Sequence, residues 1–150
     1  MAKRFEKPED IERENKACAL LIGDSGRFTS KKLGPHEVDF LIYDTQSETP
    51  TIPFAALEVK GVKKVPSVHT PHTPIVAIKK LASLQKYINE KKITNTIIAW
   101  AYADGIKFAK VTELKGKVQW GGQFKPRAGS VNDHELMFVD TNTSFKIKTY

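Results

Sequence analysis

The chain holds one cysteine, Cys18, in 150 residues. A single thiol excludes an internal disulfide and a zinc cage built from several thiolates. No apolar run approaches the roughly 20 residues that a membrane helix needs, so no membrane partner is expected. The opening residues, Met-Ala-Lys-Arg-Phe-Glu-Lys-Pro, turn polar where an export signal requires an apolar stretch. Neither type of glycine-rich phosphate loop, that of the P-loop NTPases or that of dinucleotide-binding folds, occurs. Nor does any repeat, low-complexity tract or linker divide the sequence. These absences predict a cytoplasmic (intracellular) protein with one domain over residues 1–150, its core spanning about 8–114 and a β-rich tail about 115–150.

What is present is an ordinary globular balance, 40% hydrophobic and 27% charged, with an uneven distribution of charge. The net charge is +7, yet residues 1–60 carry nine Lys/Arg against eleven Asp/Glu. Residues 61–120 carry eleven against three. Carboxylates in the first part can hold cations, and lysines in the second can hold a polyanion or simply keep the surface solvated.

Residues 8–22 read as a helix. Pro8 suits its first turn, Glu9 and Asp10 suit the positive end of its dipole, and Gly23 suits its end. Ile11, Ala17, Cys18, Leu21 and Ile22 form its apolar face. Arg27–Leu33 reads as a short strand, Gly34-Pro35 as a turn, and Val38–Tyr43 and Phe54–Lys60 as strands. Residues 61–73 read as an exposed loop. Thr73-Pro74 then has the form of an N-cap followed by proline at the first position of a second helix. On that helix Ala77, Leu81, Leu84 and Ile88 share one face, with Lys79, Ser83, Lys86 and Glu90 opposite. Thr96–Tyr102 is a strand, and Asp104-Gly105 is a hairpin turn into Ile106–Leu114. Short strands follow, with Lys115-Gly116 and Gly121-Gly122 as turns. Three strands in a meander and a strand–helix–strand crossover predict an α/β sandwich around a mixed sheet.

Three charged residues interrupt apolar strands: Asp39 in Val-Asp-Phe-Leu-Ile, and Glu58 and Lys60 in Leu-Glu-Val-Lys. The two-residue spacing puts Glu58 and Lys60 on one face of their strand. Paired as a hairpin, the two strands bring Asp39 and Glu58 together at the end away from the connecting loop. Taken singly, each residue is explained by a strand-end ion pair. Two adjacent carboxylates, however, repel unless a cation offsets them. A hard divalent ion such as Mg²⁺ suits oxygen ligands of this kind. His69 and His72, in His-Thr-Pro-His, are the only other metal-like spacing and make a poor zinc site without cysteines. His36 fits a turn. Ser25 stands in Gly-Asp-Ser-Gly, a serine-hydrolase string set in what reads as a helix-ending turn.

The strings Glu37-Val38-Asp39-Phe40-Leu41 and Leu57-Glu58-Val59-Lys60-Gly61 together resemble the signature of the PD-(D/E)xK nuclease superfamily. That signature is an acid at the start of one strand and Glu-x-Lys on the next. Val38 stands at the motif's proline position, and the resemblance spans residues 8–102. It implies a restriction-endonuclease-like α/β sandwich, a mixed central sheet flanked by helices with a β-rich C-terminal extension. The implied activity is metal-dependent hydrolysis of phosphodiester bonds in nucleic acid, with DNA cut internally as the expected substrate. Helix-then-strands order and the basic middle segment resemble those of Holliday-junction resolvases and small phage-type endonucleases.

The resemblance further implies that Asp39 and Glu58 hold Mg²⁺ (or Mn²⁺) with the Val59 carbonyl, while Lys60 orients the attacking water. The family usually adds an acid from the first helix. Glu14 falls in the apolar stripe with Ala17, Cys18 and Leu21 and is the choice, Asp10 being the second candidate; Glu12 points to water. Gln85, on the second helix, is a possible neighbour of the site, because some branches of the family bring Gln or Lys there. Lys63, Lys64, Lys79, Lys86 and Arg127 are expected to meet backbone phosphates; Lys80 is read with the solvated face. Junction cutting would call for a homodimer. The alternative is a catalytically inactive nucleic-acid-binding module of the same fold.

Overall fold

In the computed structural model, residues 7–34, 37–122, 134–140 and 145–150 are described. Helix α1 (Pro8–Ile22) opens on its proline and ends at Gly23, whose φ of 73° lies in the region that favours glycine. A meander follows of β1 (Phe28–Lys32), β2 (Phe40–Asp44) and β3 (Ala55–Gly61), each strand antiparallel to the next. A three-residue strand, β4 (Ile75–Ala77), runs directly into α2 (Ile78–Lys91). The chain continues through β5 (Asn95–Ala101), β6 (Gly105–Lys110), a 3-10 turn (Val111–Glu113), β7 (Gly116–Gly122), β8 (His134–Asp140) and β9 (Lys146–Thr149).

The main sheet has the order β1-β2-β3-β5-β6-β9 and is mixed, because β5 lies parallel to β3 after the α2 crossover. A smaller sheet, β4-β8-β7, gathers most of the tail. Alternation along β3 sorts the core into two layers. Ala55, Leu57 and Val59 pack with Ala17 and Cys18 of α1. Ala56 packs with Ile98 and Trp100 of β5 and with Leu84 and Tyr87 of α2. The sheet is thus covered by α1 on one face and α2 on the other, so β3 and β5 can be apolar on both sides. Trp100, 1% exposed, donates its indole N–H to the Ile75 carbonyl at 2.9 Å, tying the main sheet to β4. No described helix is long and apolar enough to cross a membrane.

The structure departs from the sequence expectations at three places. Pro74 does not open a helix: the β-branched pair Ile75-Val76 joins β8 as a strand, and α2 begins at Ile78. The loop 61–73 is not wholly exposed, because Val68 is 0% exposed and its N–H donates to the Asp104 carboxylate at 2.8 Å. Gly121 and Gly122 belong to β7 rather than to a turn, and β9 returns to the edge of the main sheet beside β6.

Two substitutions test this packing. A Cβ on Gly105 would sit 2.3 Å from the Lys148 carbonyl oxygen, so β9 would have to move. Gly105→Ala is expected to cost about 1–3 kcal/mol in urea unfolding, whereas Gly34→Ala, with open space around it, should stay within about 0.5 kcal/mol. Thr96 is 0% exposed and its hydroxyl has no hydrogen-bond partner among the described residues. Thr96→Val keeps the shape, removes that unsatisfied group, and should stabilise the fold by about 1 kcal/mol.

Candidate active site

The β2–β3 hairpin builds the site. Its register pairs Ile42 with Ala55, Leu41 with Ala56 and Phe40 with Leu57, so the next rung sets Asp39 opposite Glu58. Asp39 lies one residue before β2 and is 8% exposed; Glu58, within β3, is 4% exposed. The two carboxylates hold each other's backbones. Glu58 Oε2 accepts from the Asp39 N–H at 3.2 Å, and Asp39 Oδ2 accepts from the Val59 N–H at 2.8 Å. Each acid thereby commits one oxygen to the main chain and turns the other outward.

Both outward oxygens face lysines. Lys80, in the first turn of α2, places Nζ 2.9 Å from Glu58 Oε1. Lys32, the last residue of β1, places Nζ 3.5 Å from Asp39 Oδ1 and 2.6 Å from Glu14 Oε2. The same ammonium lies 5.0 Å from the centre of the Phe40 ring. Burial, and then the adjacent Asp39 charge, push the Glu58 carboxyl above its ordinary range, with Lys80 opposing them. Burial works against the charged form of Lys80, but Glu58, Asp39 and Glu14 outweigh it and raise its pKa. The partly buried Glu14 thus belongs to the same electrostatic unit.

The remaining sequence candidates are placed as follows. Lys60 shares Glu58's face of β3 but is exposed. Val59 sends its side chain into the α1-side core, so only its backbone can serve the site. Asp10 serves the helix start: it accepts from the Lys7 N–H and pairs with Arg13 at 2.9 Å and Lys63 at 3.1 Å. Burial would raise its pKa, yet these partners pull it down to about 2. Lys64 and Lys79 are exposed, and Lys86 is exposed 4.0 Å from Glu90. Gln85 is exposed and bonded to Asn89 at 3.2 Å; it lies about 140° around the helix from Lys80, away from the acids. Arg127 and His36 lie outside the described residues. His72 is engaged with the Tyr102 hydroxyl, and the Ser25 hydroxyl accepts from the Arg27 N–H within a turn.

Sequence reasoning missed three contributors. Lys80, Leu84 and Tyr87 stand at i, i+4 and i+7, the same spacing that singled out Glu14, so Lys80 carried a readable signal. The Tyr87 hydroxyl donates to the Glu37 carboxylate, anchoring from α2 the segment that ends in Asp39; burial and Glu37 push its pKa up to about 12. Lys32 is identified only by the β1–β2 register, which sets it across from Phe40. Among the described residues, no three His, Cys, Asp or Glu side chains converge as a ready-made metal cage. Glu14 is turned to the Lys32 ammonium instead. Compared with models of known families and with curated proteins, the chain matches none.

The raised Glu58 pKa has a stability consequence. A carboxyl that holds its proton more tightly when folded destabilises the fold as pH rises through its ordinary value of 4.5 toward the folded one. Without added metal, Glu58→Gln should therefore melt higher than wild type at pH 7, and the advantage should fade below pH 4.5. Calorimetric melts across that range check both the sign and the window.

Proposed function

We propose that this chain is a divalent-metal-dependent nuclease of the PD-(D/E)xK type, with a restriction-endonuclease-like fold. The observation that carries this reading is the reciprocal locking of Asp39 and Glu58, which fixes two buried carboxylates side by side, each with an oxygen turned outward. Structural ion pairs rarely need two acids facing each other on one rung of buried strands, because their repulsion must be offset. A site for a hard cation does need them. The arrangement of α1 and α2 on opposite faces of a sheet whose central pair is parallel supports the fold assignment by analogy only.

In this reading Asp39, Glu58, the Val59 carbonyl and Glu14 hold Mg²⁺ or Mn²⁺, and the donor set is all oxygen, as those ions prefer. Such an ion would polarise a phosphodiester and lower the pKa of a bound water. Lys60, exposed on Glu58's face of β3, orients the water and offsets charge developing on the phosphate. Lys80 favours the charged form of Glu58 against its burial. Exposed Lys64, Lys79 and Lys86, with Lys63 at the α1 edge, supply sequence-independent contacts to a nucleic-acid backbone. DNA cut internally is the substrate proposed, inside the cell, and a homodimer would serve paired cuts.

One observation favours a second reading, a binding module without catalysis. Lys32 and Lys80 already neutralise the outward oxygens, as in a permanent ion-pair network. Cleavage decides between the two readings. With Mg²⁺ or Mn²⁺, the protein should cut at least one of supercoiled plasmid, single-stranded circle, four-way junction and structured RNA. Asp39→Ala and Glu58→Ala should abolish the activity, and Lys60→Ala should reduce it about 10²–10³-fold. Tight binding of the panel without cleavage in any metal would favour the binding module, and equal cleavage by the variants would mark a contaminant.

A further inference from the structure

Resting on the reading of Asp39 and Glu58 as a cation site, we propose that Lys32 is a built-in occupant of that site, so that a divalent ion binds by exchange with its ammonium. β1 is an edge strand whose three middle residues are exposed, yet its last residue, Lys32, leaves only 29% of its side chain accessible. The neighbouring Lys31 is exposed, as lysines usually are. The Lys32 ammonium is held from three sides: Glu14 Oε2 at 2.6 Å from α1, Asp39 Oδ1 at 3.5 Å from the segment before β2, and the Phe40 ring from β2 itself. These are donors that the metal reading requires. Glu14 and the outward oxygen of Asp39 cannot both turn to an ion while they grip Lys32.

Lys80 differs. It reaches Glu58 from a side chain that is 53% exposed and touches neither Glu14 nor Asp39 at ion-pair distance. Lys32 is therefore the residue that sets how readily the metal enters. In the metal-free protein it offsets the repulsion between Glu14 and Asp39. When the ion arrives, the four-carbon stem lets its head swing to solvent at the sheet edge. An occupant present most of the time weakens apparent affinity by the fraction of sites left open, so a site free about one-tenth of the time binds about tenfold more weakly.

The test measures Mn²⁺ binding by calorimetry in wild type, Lys32→Met, Lys32→Arg and Lys31→Met, the last controlling for the loss of one nearby positive charge. Exchange predicts that Lys32→Met binds Mn²⁺ about tenfold tighter than Lys31→Met, that Lys32→Arg gains nothing, and that metal-free Lys32→Met melts lower than wild type. A second readout needs no variant: acetic anhydride labelling of the wild-type protein, read by peptide mass, should label Lys32 faster with Mg²⁺ present and Lys31 at an unchanged rate. Wild-type Mn²⁺ binding with no tightening in Lys32→Met, or with Lys32 labelling indifferent to Mg²⁺, would overturn the exchange and leave the cation site standing. Failure of every protein to bind Mn²⁺ would remove the cation site and the exchange with it.

Discussion

Two carboxylates facing each other across a hairpin should push their strands apart, and in this chain they do the opposite. Each reaches across to the other strand's main chain: Glu58 to the Asp39 N–H and Asp39 to the Val59 N–H. Those N–H groups lie where the β2–β3 ladder ends, and the side chains serve as its last rungs. Charge-assisted bonds to backbone donors are among the stronger hydrogen bonds, and here they satisfy buried main-chain groups that would otherwise lack partners. The Coulombic repulsion remains, as the upward pull on Glu58 records. Every cation recruited to this corner, from β1 and from α2, answers that repulsion.

The parts of this arrangement that were legible in the sequence are those fixed locally. Pro8 and Gly23 mark the ends of α1 to the residue, and helical periodicity alone places Glu14 toward the core and Glu12 toward water. Alternation in β2 and β3, with the loop between them, is enough to set Asp39 beside Glu58. What failed depended on partners far along the chain. Pro74 carried a valid helix-start signal, but β8, some sixty residues later, offered Ile75 and Val76 a strand to pair with. Val68 looked like part of a polar loop because its anchor, Asp104, belongs to the β5–β6 turn. Lys32 could not be told from Lys31, since only the pairing with β2 says which of two adjacent lysines turns inward. Lys80 is a different kind of miss. Its spacing to Leu84 and Tyr87 was available, but a lysine beside Lys79 reads first as part of the solvated face.

The topology explains why the polar cluster gathers where it does. β3 and β5 run parallel, and Glu58 and Lys60 lie toward the C-terminal end of β3. Ligand sites in open α/β sheets favour that end, because the crossover helices return there with their N-termini toward the sheet. Here α2 starts only two residues before Lys80, so its first turn delivers the Lys80 ammonium to Glu58. The first strands of the meander bring Asp39 and Lys32 to the same corner from the other side. A single corner of the sheet thus collects Glu14 of α1, Lys32 of β1, Asp39 before β2, Glu58 of β3 and Lys80 of α2, whereas Asp44, buried at the far end of β2, is paired with Arg27.

Charge balance gives this corner its chemical bias. Three carboxylates, Glu14, Asp39 and Glu58, stand with three ammoniums, Lys32, Lys80 and Lys60, the last on Glu58's face of β3, so their formal charges balance. A divalent ion added without displacement would leave two positive charges in excess. An ion that replaced Lys32 would leave one. In a partly desolvated site the neutral combination has the lower electrostatic cost, since charge of either sign left unbalanced there is penalised. The metal-free charges are therefore balanced, and release of the Lys32 ammonium would halve the excess that an entering divalent ion brings.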